Sequence, residues 1–492
     1  MSSQLAAIDL GSNSFHMIVA RPGPGNRPLI IDRIKEPVRL AAGLDASGNI
    51  TAAAADRALS CLGQFAERLT GFGPGQVRAV GTNTLRRARN RLDFLELAQE
   101  TLGHRIDIIP GTEEARLIFA GVGTAFDQPG RRLIIDIGGG STELSLGQQA
   151  PEVLTSRFMG CVSWSERFFT GGRVTRKSMN KAINAARQQL GPVMRSFRET
   201  GWEHALGSSG TVKAIEAVLM QSGMIADGIT MRSLEALAEK LIELRRTSRF
   251  LLPGLPEHRR PVIAGGLAIL LAAFRSLHID NLTWVNAALK EGLIVQMIGR
   301  INHQDIRSAA VARLAERLEV DVAQANRVTA SALGLFDQVT ADWSLRPRHR
   351  RLLTWAAALH EAGQFINHAG SHKHSAYLLA HADLPGFSRQ DQGTIAAAVV
   401  GHRGRLSHAR ILSISPSADD ATMRLAILLR IAAMIHRTRS TKPPPSLKLT
   451  ASRRQVHLLY PDGWLTGRPL TRADLASTAE RLAEIGYQLL WE

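Results

Sequence analysis

Cysteine is nearly absent from this chain. Cys61 and Cys161 are its only two in 492 residues, and such a pair supplies neither a disulfide framework nor metal-ligand spacing. Aromatic side chains are sparse at 5%. With no zinc-finger, basic-zipper or RNA-stacking motif either, a nucleic-acid partner is not expected. Long apolar runs are missing too. The best candidate, Val262 to Phe274, is too short to span a bilayer and carries paired glycines, so it reads as a buried helix. The chain enters a strand directly, without a basic segment followed by an apolar one. No secretory leader and no membrane anchoring are expected, and the cytoplasm is the expected compartment.

Negative charge is the other shortage. Lys and Arg number 60 against 43 acidic residues, a net charge of +17. A field of that sign captures polyanions and speeds their arrival. A polyphosphate chain and a highly phosphorylated nucleotide both answer to it; an arginine-rich surface without a partner is the plainer alternative.

What the chain does have is small residues in telling places. From Ile134 to Leu144 an apolar run ends in Asp136, crosses Gly138-Gly139-Gly140-Ser141 and enters a second alternating run, the pattern of strand, tight turn and strand. A turn without side chains lets backbone N–H groups approach an anion, and glycine permits the positive φ angles of a concave nest. Asp136, at the strand end, is placed to hold a divalent cation beside that anion. A plain hairpin is the alternative, but the chain opens with the same layout. In Ala7-Ile8-Asp9-Leu10-Gly11-Ser12-Asn13-Ser14, the residues Asp9, Gly11 and Ser14 match Asp136, Gly138 and Ser141. Two copies predict two similar half-domains gripping phosphate across a cleft. Neither is a Walker loop, because no Gly-Lys-Ser/Thr follows and the next element reads as strand.

This length exceeds one core. Segments 1–125 and 126–305 alternate strands and helices, 306–440 is helical, and 441–492, entered through the stiff Pro443-Pro444-Pro445, is a small α+β region. In the first segment a short strand, Val77 to Gly81, runs into a helix capped by Asn83 or Thr84, whose start would favour an anion within reach of Arg86. Glu113 and Glu114 open the following helix. Glutamate there ordinarily complements the helix dipole, but this helix leads to the second phosphate turn, where a carboxylate could deprotonate a water attacking phosphorus. Gly207-Ser208-Ser209-Gly210 is a third small-residue turn, suited to a base or phosphate contact or simply joining strand to helix. In the helical segment, His360-Glu361, His374 and His402 have spacing that can hold a metal, yet the segment reads as lacking chemistry of its own. Arg346, Arg348, Lys373 and Arg403, with His374, could guide a long polyanion.

Asp9-Leu-Gly-Ser-Asn-Ser-Phe-His-Met, Glu113-Glu-Ala-Arg-Leu-Ile, Asp136-Ile-Gly-Gly-Gly-Ser-Thr-Glu and Gly207-Ser-Ser-Gly-Thr, in that order, resemble the exopolyphosphatase / guanosine pentaphosphate phosphohydrolase family of the sugar-kinase/actin superfamily. The resemblance spans essentially the whole chain. It implies duplicated actin-like (ribonuclease-H-like) α/β domains with an interdomain cleft, an all-α HD-like domain and a small α+β C-terminal domain. It implies that Glu114 is the base preparing water for attack, and that Asp136, with Glu143 and Asp9, binds Mg²⁺ or Mn²⁺, K⁺ being a further candidate ion. Ser12, Asn13 and Ser14 match the first phosphate loop; Gly138, Gly139, Gly140 and Ser141 match the second; Arg86 matches an arginine touching the phosphoryl group. A homodimer is a further expectation. Of the family's two reactions, hydrolysis of terminal phosphate from inorganic polyphosphate is favoured by the basic surplus and by the tract after His360. Conversion of guanosine pentaphosphate to tetraphosphate is the alternative, favoured by Gly463-Trp464-Leu465-Thr466. A non-hydrolytic actin-type nucleotide binder is a third reading.

Overall fold

Alternating apolar residues turn the first 36 residues into three antiparallel strands, β1 (Leu5–Leu10), β2 (Phe15–Pro22) and β3 (Pro28–Glu36). The computed structural model describes residues 4–23, 27–301 and 305–492. Helix α1 (Ala52–Arg68) lays its apolar stripe of Ala54, Ala58, Leu62 and Phe65 on this sheet. Strand β4 (Val77–Gly81) then joins β1 in parallel; α2 (Asn83–Arg87) and α3 (Arg91–Leu102) lead to β5 (Ile106–Ile108), giving the order β3-β2-β1-β4-β5.

The pattern then repeats. After α4 (Gly111–Val122) come β6 (Arg132–Ile137), β7 (Thr142–Gly147), β8 (Pro151–Arg157), α5 (Cys161–Phe168), α6 (Arg176–Thr200), β9 (His204–Ser208), α7 (Ser209–Gln221), β10 (Ile229–Thr230), α8 (Met231–Leu244), α9 (Ile263–Leu277), β11 (Asn281–Trp284) and α10 (Leu289–Ile301). The second sheet has the order β10-β11-β9-β6-β7-β8. Without the edge strand β10, it reproduces the first sheet in order and strand direction. The register repeats as well: Asp9 pairs with His16 across its hairpin, and Asp136 with Glu143. The sequence match of Asp9 to Asp136 is therefore a match in space, and the duplicated actin-like architecture is present.

Helix α9, the apolar run that could not span a bilayer, is buried on all sides from Ile263 to Phe274. A Cβ on Gly265 would lie 2.6 Å from the Cys161 carbonyl oxygen, so glycine there admits α5. Helices α4 and α10 fill a core between the two sheets, with Ala7 and Ile18 on one side and Ile134 and Leu206 on the other. Helix α4 follows β5 yet packs on β6, β7 and β8, whereas α10 follows β11 yet packs on β1 and β2. The spatial lobes thus exchange helices at the chain positions where the sequence divides. The two helices cross in backbone contact: a Cβ on Gly292 would stand 1.9 Å from the Leu117 carbonyl oxygen, and one on Gly121 2.2 Å from that of Ala288.

The chain divides into two compact units, Met1–Gln304 and Asp305–Glu492. The second holds α11 (Ile306–Arg317), α12 (Val322–Val339), α13 (Pro347–Ala358), α14 (Ser371–His381), α15 (Arg389–Gly401), α16 (His408–Ile414) and α17 (Asp420–Ile435), then β12 (Lys448–Ser452), β13 (Gln455–Leu459), α18 (Pro469–Ala483) and β14 (Gln488–Trp491). The strands form one sheet, β12-β13-β14; β14 has no counterpart in the sequence reading. Leu335 and Leu428 of the helices share a single core with Leu449, Val456 and Leu475 of the tail. Among the described residues no helix is long and apolar enough to cross a membrane.

Candidate active site

The twin hairpins hold their peptide groups in a defined sense. Gly138 donates its N–H to the Ser141 carbonyl at 2.9 Å. The carbonyls of Gly138 and Gly139 accept the first N–H groups of α5, from Cys161 at 2.9 Å and Val162 at 3.0 Å. In a trans peptide the N–H points opposite its C=O, so the N–H groups of Gly139 and Gly140 turn away from that helix. In the first hairpin the carbonyls of Ser12 and Asn13 accept from Ala41 at 2.9 Å and Arg39 at 2.8 Å, which likewise turns the N–H groups of Asn13 and Ser14 the other way. The glycines serve close approach, and here the expected left-handed nest is not found. None of Gly138, Gly139 and Gly140 has a positive φ. Instead a Cβ on Gly139 would lie 3.0 Å from Ser12 Cβ, one on Gly140 2.4 Å from Asn83 Oδ1, and one on Gly160 2.3 Å from the Gly139 carbonyl carbon. The two turns press against each other.

Between them opens a cavity of about 350 Å³ whose wall includes Asp9, Ser12, Asn13, Ser14, Asp136, Gly138, Gly139, Ser141 and Glu114. Burial pushes the Asp9 carboxyl up to about 8, Glu114 adding to the rise and Lys290 opposing it. Asp136 is pushed up to about 6, again by burial first, with Glu114 adding to the rise and Lys290 opposing it. Glu143 stands behind them and is buried. Its Oε1 accepts the Ser156 hydroxyl at 2.7 Å, and its proton affinity is raised well above the ordinary value by burial, then by Glu114 and Asp136.

Asp9 Oδ1 and Glu143 Oε2 are buried without a hydrogen-bond partner. Buried carboxylates in mutual repulsion call for a cation, and their hard oxygens suit Mg²⁺. No three His, Cys, Asp or Glu side chains among the described residues form a ready-made metal site. The carboxylates of Asp9 and Asp136, with Glu143 beside them, are the hard-oxygen donors that would hold Mg²⁺.

Glu114 sits in the first turn of α4, nearly buried. Arg86 Nη1 donates to Glu114 Oε2 at 2.7 Å and to the Ile109 carbonyl at 3.0 Å. Arg86 thus orients Glu114, while its Nη2 is buried without a hydrogen-bond partner. Helix α2 is a single turn whose N-cap is Thr82, with no side-chain cap bond. Thr84, an expected cap, instead donates its hydroxyl to Ser12 Oγ at 2.8 Å.

The third turn divides. Ser209 and Gly210 line the cavity. Gly207 does not; a Cβ there would meet Val212 at 2.5 Å, so it serves helix–sheet packing. Ser208 donates its hydroxyl to the Ala287 carbonyl at 2.8 Å. Ser209 holds φ at +80°, and its hydroxyl oxygen accepts the Thr211 N–H at 3.2 Å.

The cavity also carries cations. Lys35, Lys213, Arg259 and Lys290 all line the cavity. Burial, then Arg259, Lys213 and Lys290, lowers the proton affinity of Lys35, and burial with Lys290, Lys35 and Arg259 takes His16 down to about 3. Cations gathered against one another form a seat for a polyanion. Lys213 Nζ also lies 4.9 Å over the Trp284 ring, in the same cavity. These residues carry no sequence motif; strands and helices far apart in the chain bring them together.

Arg346, Arg348, Lys373, His374 and Arg403 belong to the second unit. There Arg348 is neutralised by Asp391 at 2.7 Å, and neighbouring Arg350 by Asp337 at 2.8 Å. His360 lies past the end of α13 rather than within a helix. Its ring approaches His402, and His402 approaches His372, at 5.3 and 6.3 Å between centroids. His374 is not among these contacting rings.

Two lobes with paired hairpins across a cavity, and a buried carboxylate beside them, are the geometry expected of a phosphohydrolase. The Ppx/GppA phosphatase family profile matches residues 18–301, and that of Ppx/GppA phosphatase, domain III, matches residues 306–479. The chain belongs to the Ppx/GppA phosphatase family. It is 36% identical over 498 residues to a guanosine-5'-triphosphate,3'-diphosphate pyrophosphatase of Photobacterium profundum, covering 100% of this chain and 98% of that one. A protein of the same description from Vibrio cholerae serotype O1 is 38% identical over 487 residues, covering 98% and 97%. An exopolyphosphatase structure from Cytophaga hutchinsonii shares the fold at TM-score 0.54 and 24% identity, over 61% of this chain and 98% of that one. An Aquifex aeolicus family member does so at 0.52 and 23%, over 62% and 100%.

Proposed function

We propose that this cavity removes the 5'-terminal phosphate of guanosine pentaphosphate, giving orthophosphate and guanosine tetraphosphate. The observation that carries this reading is the pairing of Trp284 with Lys213 in the cavity. A half-buried ring with an ammonium over it offers apolar surface to a base and charge to its extra diphosphate, whereas a bare polyphosphate chain has no use for a ring. The names of the two bacterial relatives support the same choice. The +17 charge, which favoured polyphosphate on composition, serves either substrate.

In this reading the N–H groups of Asn13, Ser14, Gly139 and Gly140, with the Ser12 and Ser141 hydroxyls, cradle the terminal phosphoryl group. Glu114, fixed by Arg86, takes a proton from the attacking water. Mg²⁺, held by Asp9 and Asp136, would neutralise charge on phosphate oxygens.

The test compares orthophosphate release from guanosine pentaphosphate and from long-chain polyphosphate, using the parent and Trp284→Ala enzymes. Guanosine pentaphosphate should give the higher kcat/KM. Trp284→Ala should lower it by about 10- to 100-fold for the nucleotide, the scale of one stacked base, while sparing inorganic triphosphate. A parent enzyme that prefers polyphosphate, with no effect of Trp284→Ala, overturns the reading in favour of exopolyphosphatase action.

A further inference from the structure

Lys290 begins α10 and lines the same cavity as Asp9, Asp136 and Glu114. Its side chain is only 17% exposed, with Nζ 3.2 Å from Glu291 Oε2. That carboxylate is shared: Oε2 also accepts the Ala288 N–H at 2.8 Å, and Oε1 faces Arg33 Nη1 at 3.6 Å. Glu291 therefore steers the ammonium without fully neutralising the cations around it. Lys290 lies close enough to Asp9 and Asp136, and to His16 and Lys35, for its charge to bear on all four, and Asp9 and His16 are themselves paired across the first hairpin. It lines one cavity with the carboxylates of Asp9, Asp136 and Glu114 and with the cations Lys35, Lys213 and Arg259. A substrate whose terminal phosphorus sits by Glu114, and whose remainder is held by those cations, brings its scissile bridging oxygen within reach of Lys290.

We propose that Lys290 is a catalytic residue that donates a hydrogen bond to the bridging oxygen as it leaves the terminal phosphorus. The inference rests on the cavity being the phosphohydrolase site, and not on which polyphosphorylated substrate fills it. The water oxygen bonds to phosphorus, and the water's proton passes to Glu114. The bond from phosphorus to the bridging oxygen breaks, and its electron pair stays on that oxygen, which becomes a terminal oxygen of the product diphosphate. Lys290 keeps its proton and stabilises the charge gathering there, the charge a loose phosphoryl transition state develops most strongly. The mounting suits the role. Glu114 and Lys290 ride on α4 and α10, and the backbone contact at Gly292 and Leu117 fixes the two helices against each other.

The test is chemical rescue of the full-length enzyme. Lys290→Cys should lose about 100- to 1,000-fold in kcat, the usual effect of removing one transition-state donor. The loss should appear on guanosine pentaphosphate and on inorganic triphosphate alike, with KM changed by no more than about threefold. Bromoethylamine, which rebuilds an ammonium on the introduced thiol, should restore about a tenth or more of the parent kcat; iodoacetamide should not. Cys61 and Cys161 are buried and are spared by both reagents. Lys290→Arg, with an unchanged thermal midpoint, should retain more activity than Lys290→Met. Unchanged kcat in Lys290→Cys, a loss confined to KM, or equal rescue by both reagents overturns the role. A parent enzyme that hydrolyses triphosphate but ignores guanosine pentaphosphate would refute the proposed substrate while leaving the Lys290 result readable.

Discussion

Replacing Asp9 by Asn should stabilise the metal-free protein while abolishing phosphate release. In the folded chain the Asp9 carboxyl is pushed from 3.8 up to about 8, chiefly by burial. A raised value means the folded state holds the proton more tightly than the unfolded one. The stability from this group is fully present below about pH 4 and is lost as pH climbs through the window to about 8. A displacement of about four units corresponds to at most ~5 kcal/mol. Because Glu114, Asp136 and Glu291 contribute to it, neutralising Asp9 alone should recover roughly 1–3 kcal/mol at pH 8. For a unit of this size, that is a rise of about 2–6 °C in thermal midpoint. Calorimetry with EDTA at pH 8 and pH 5 reads it directly: the variant's advantage should be clear at pH 8 and shrink at pH 5. Added Mg²⁺ should raise the midpoint of the parent more than that of the variant. An Asp9→Asn midpoint at or below the parent's at pH 8 would refute the reasoning, since it would mean the carboxylate is already compensated without a metal.

Two further outcomes follow from the same geometry. Glu114→Gln should lower kcat for phosphate release by at least about 100-fold, as loss of a general base does, while fluorescence titration finds substrate binding within a few-fold of the parent; near-normal turnover would remove Glu114 from its role. Gly160→Ala forces a methyl group to within 2.3 Å of the Gly139 backbone, so it should destabilise the protein by about 1–3 kcal/mol and cost activity beyond what the midpoint loss explains; a variant indistinguishable from the parent in denaturation and turnover would show that the start of α5 has room to move off the second hairpin.

The duplicated fold was legible because it is written locally. Asp9 and Asp136 each end an apolar run, and the same small residues follow each, so one hairpin could be read against the other. That Glu114 lies beside the hairpins was legible only through the resemblance and its place ahead of the second hairpin, since a glutamate opening a helix is ordinary. Lys35, Lys213, Arg259 and Lys290 were not legible as a group. Their separation in the chain hides the pairing of sheets that gathers them. The role of Gly139 and Gly140 was also hidden, because backbone freedom and close approach leave the same letter in a sequence. Composition could not choose between substrates either: +17 attracts any polyanion, whereas the ring of Trp284 beside Lys213 is a contact that only the folded chain reveals.

The tail strands share their core with the helices before them, and this bears on where the chain could be shortened. Pro443 to Pro445 looks like a place to cut. A stop codon there would strip Leu449, Val456, Leu475 and Leu489 from the packing around Leu335 and Leu428, leaving a broad greasy scar on what remained. The proline stretch is a crease in one folded body, and a fragment ending at it should be recovered from inclusion bodies rather than from the supernatant.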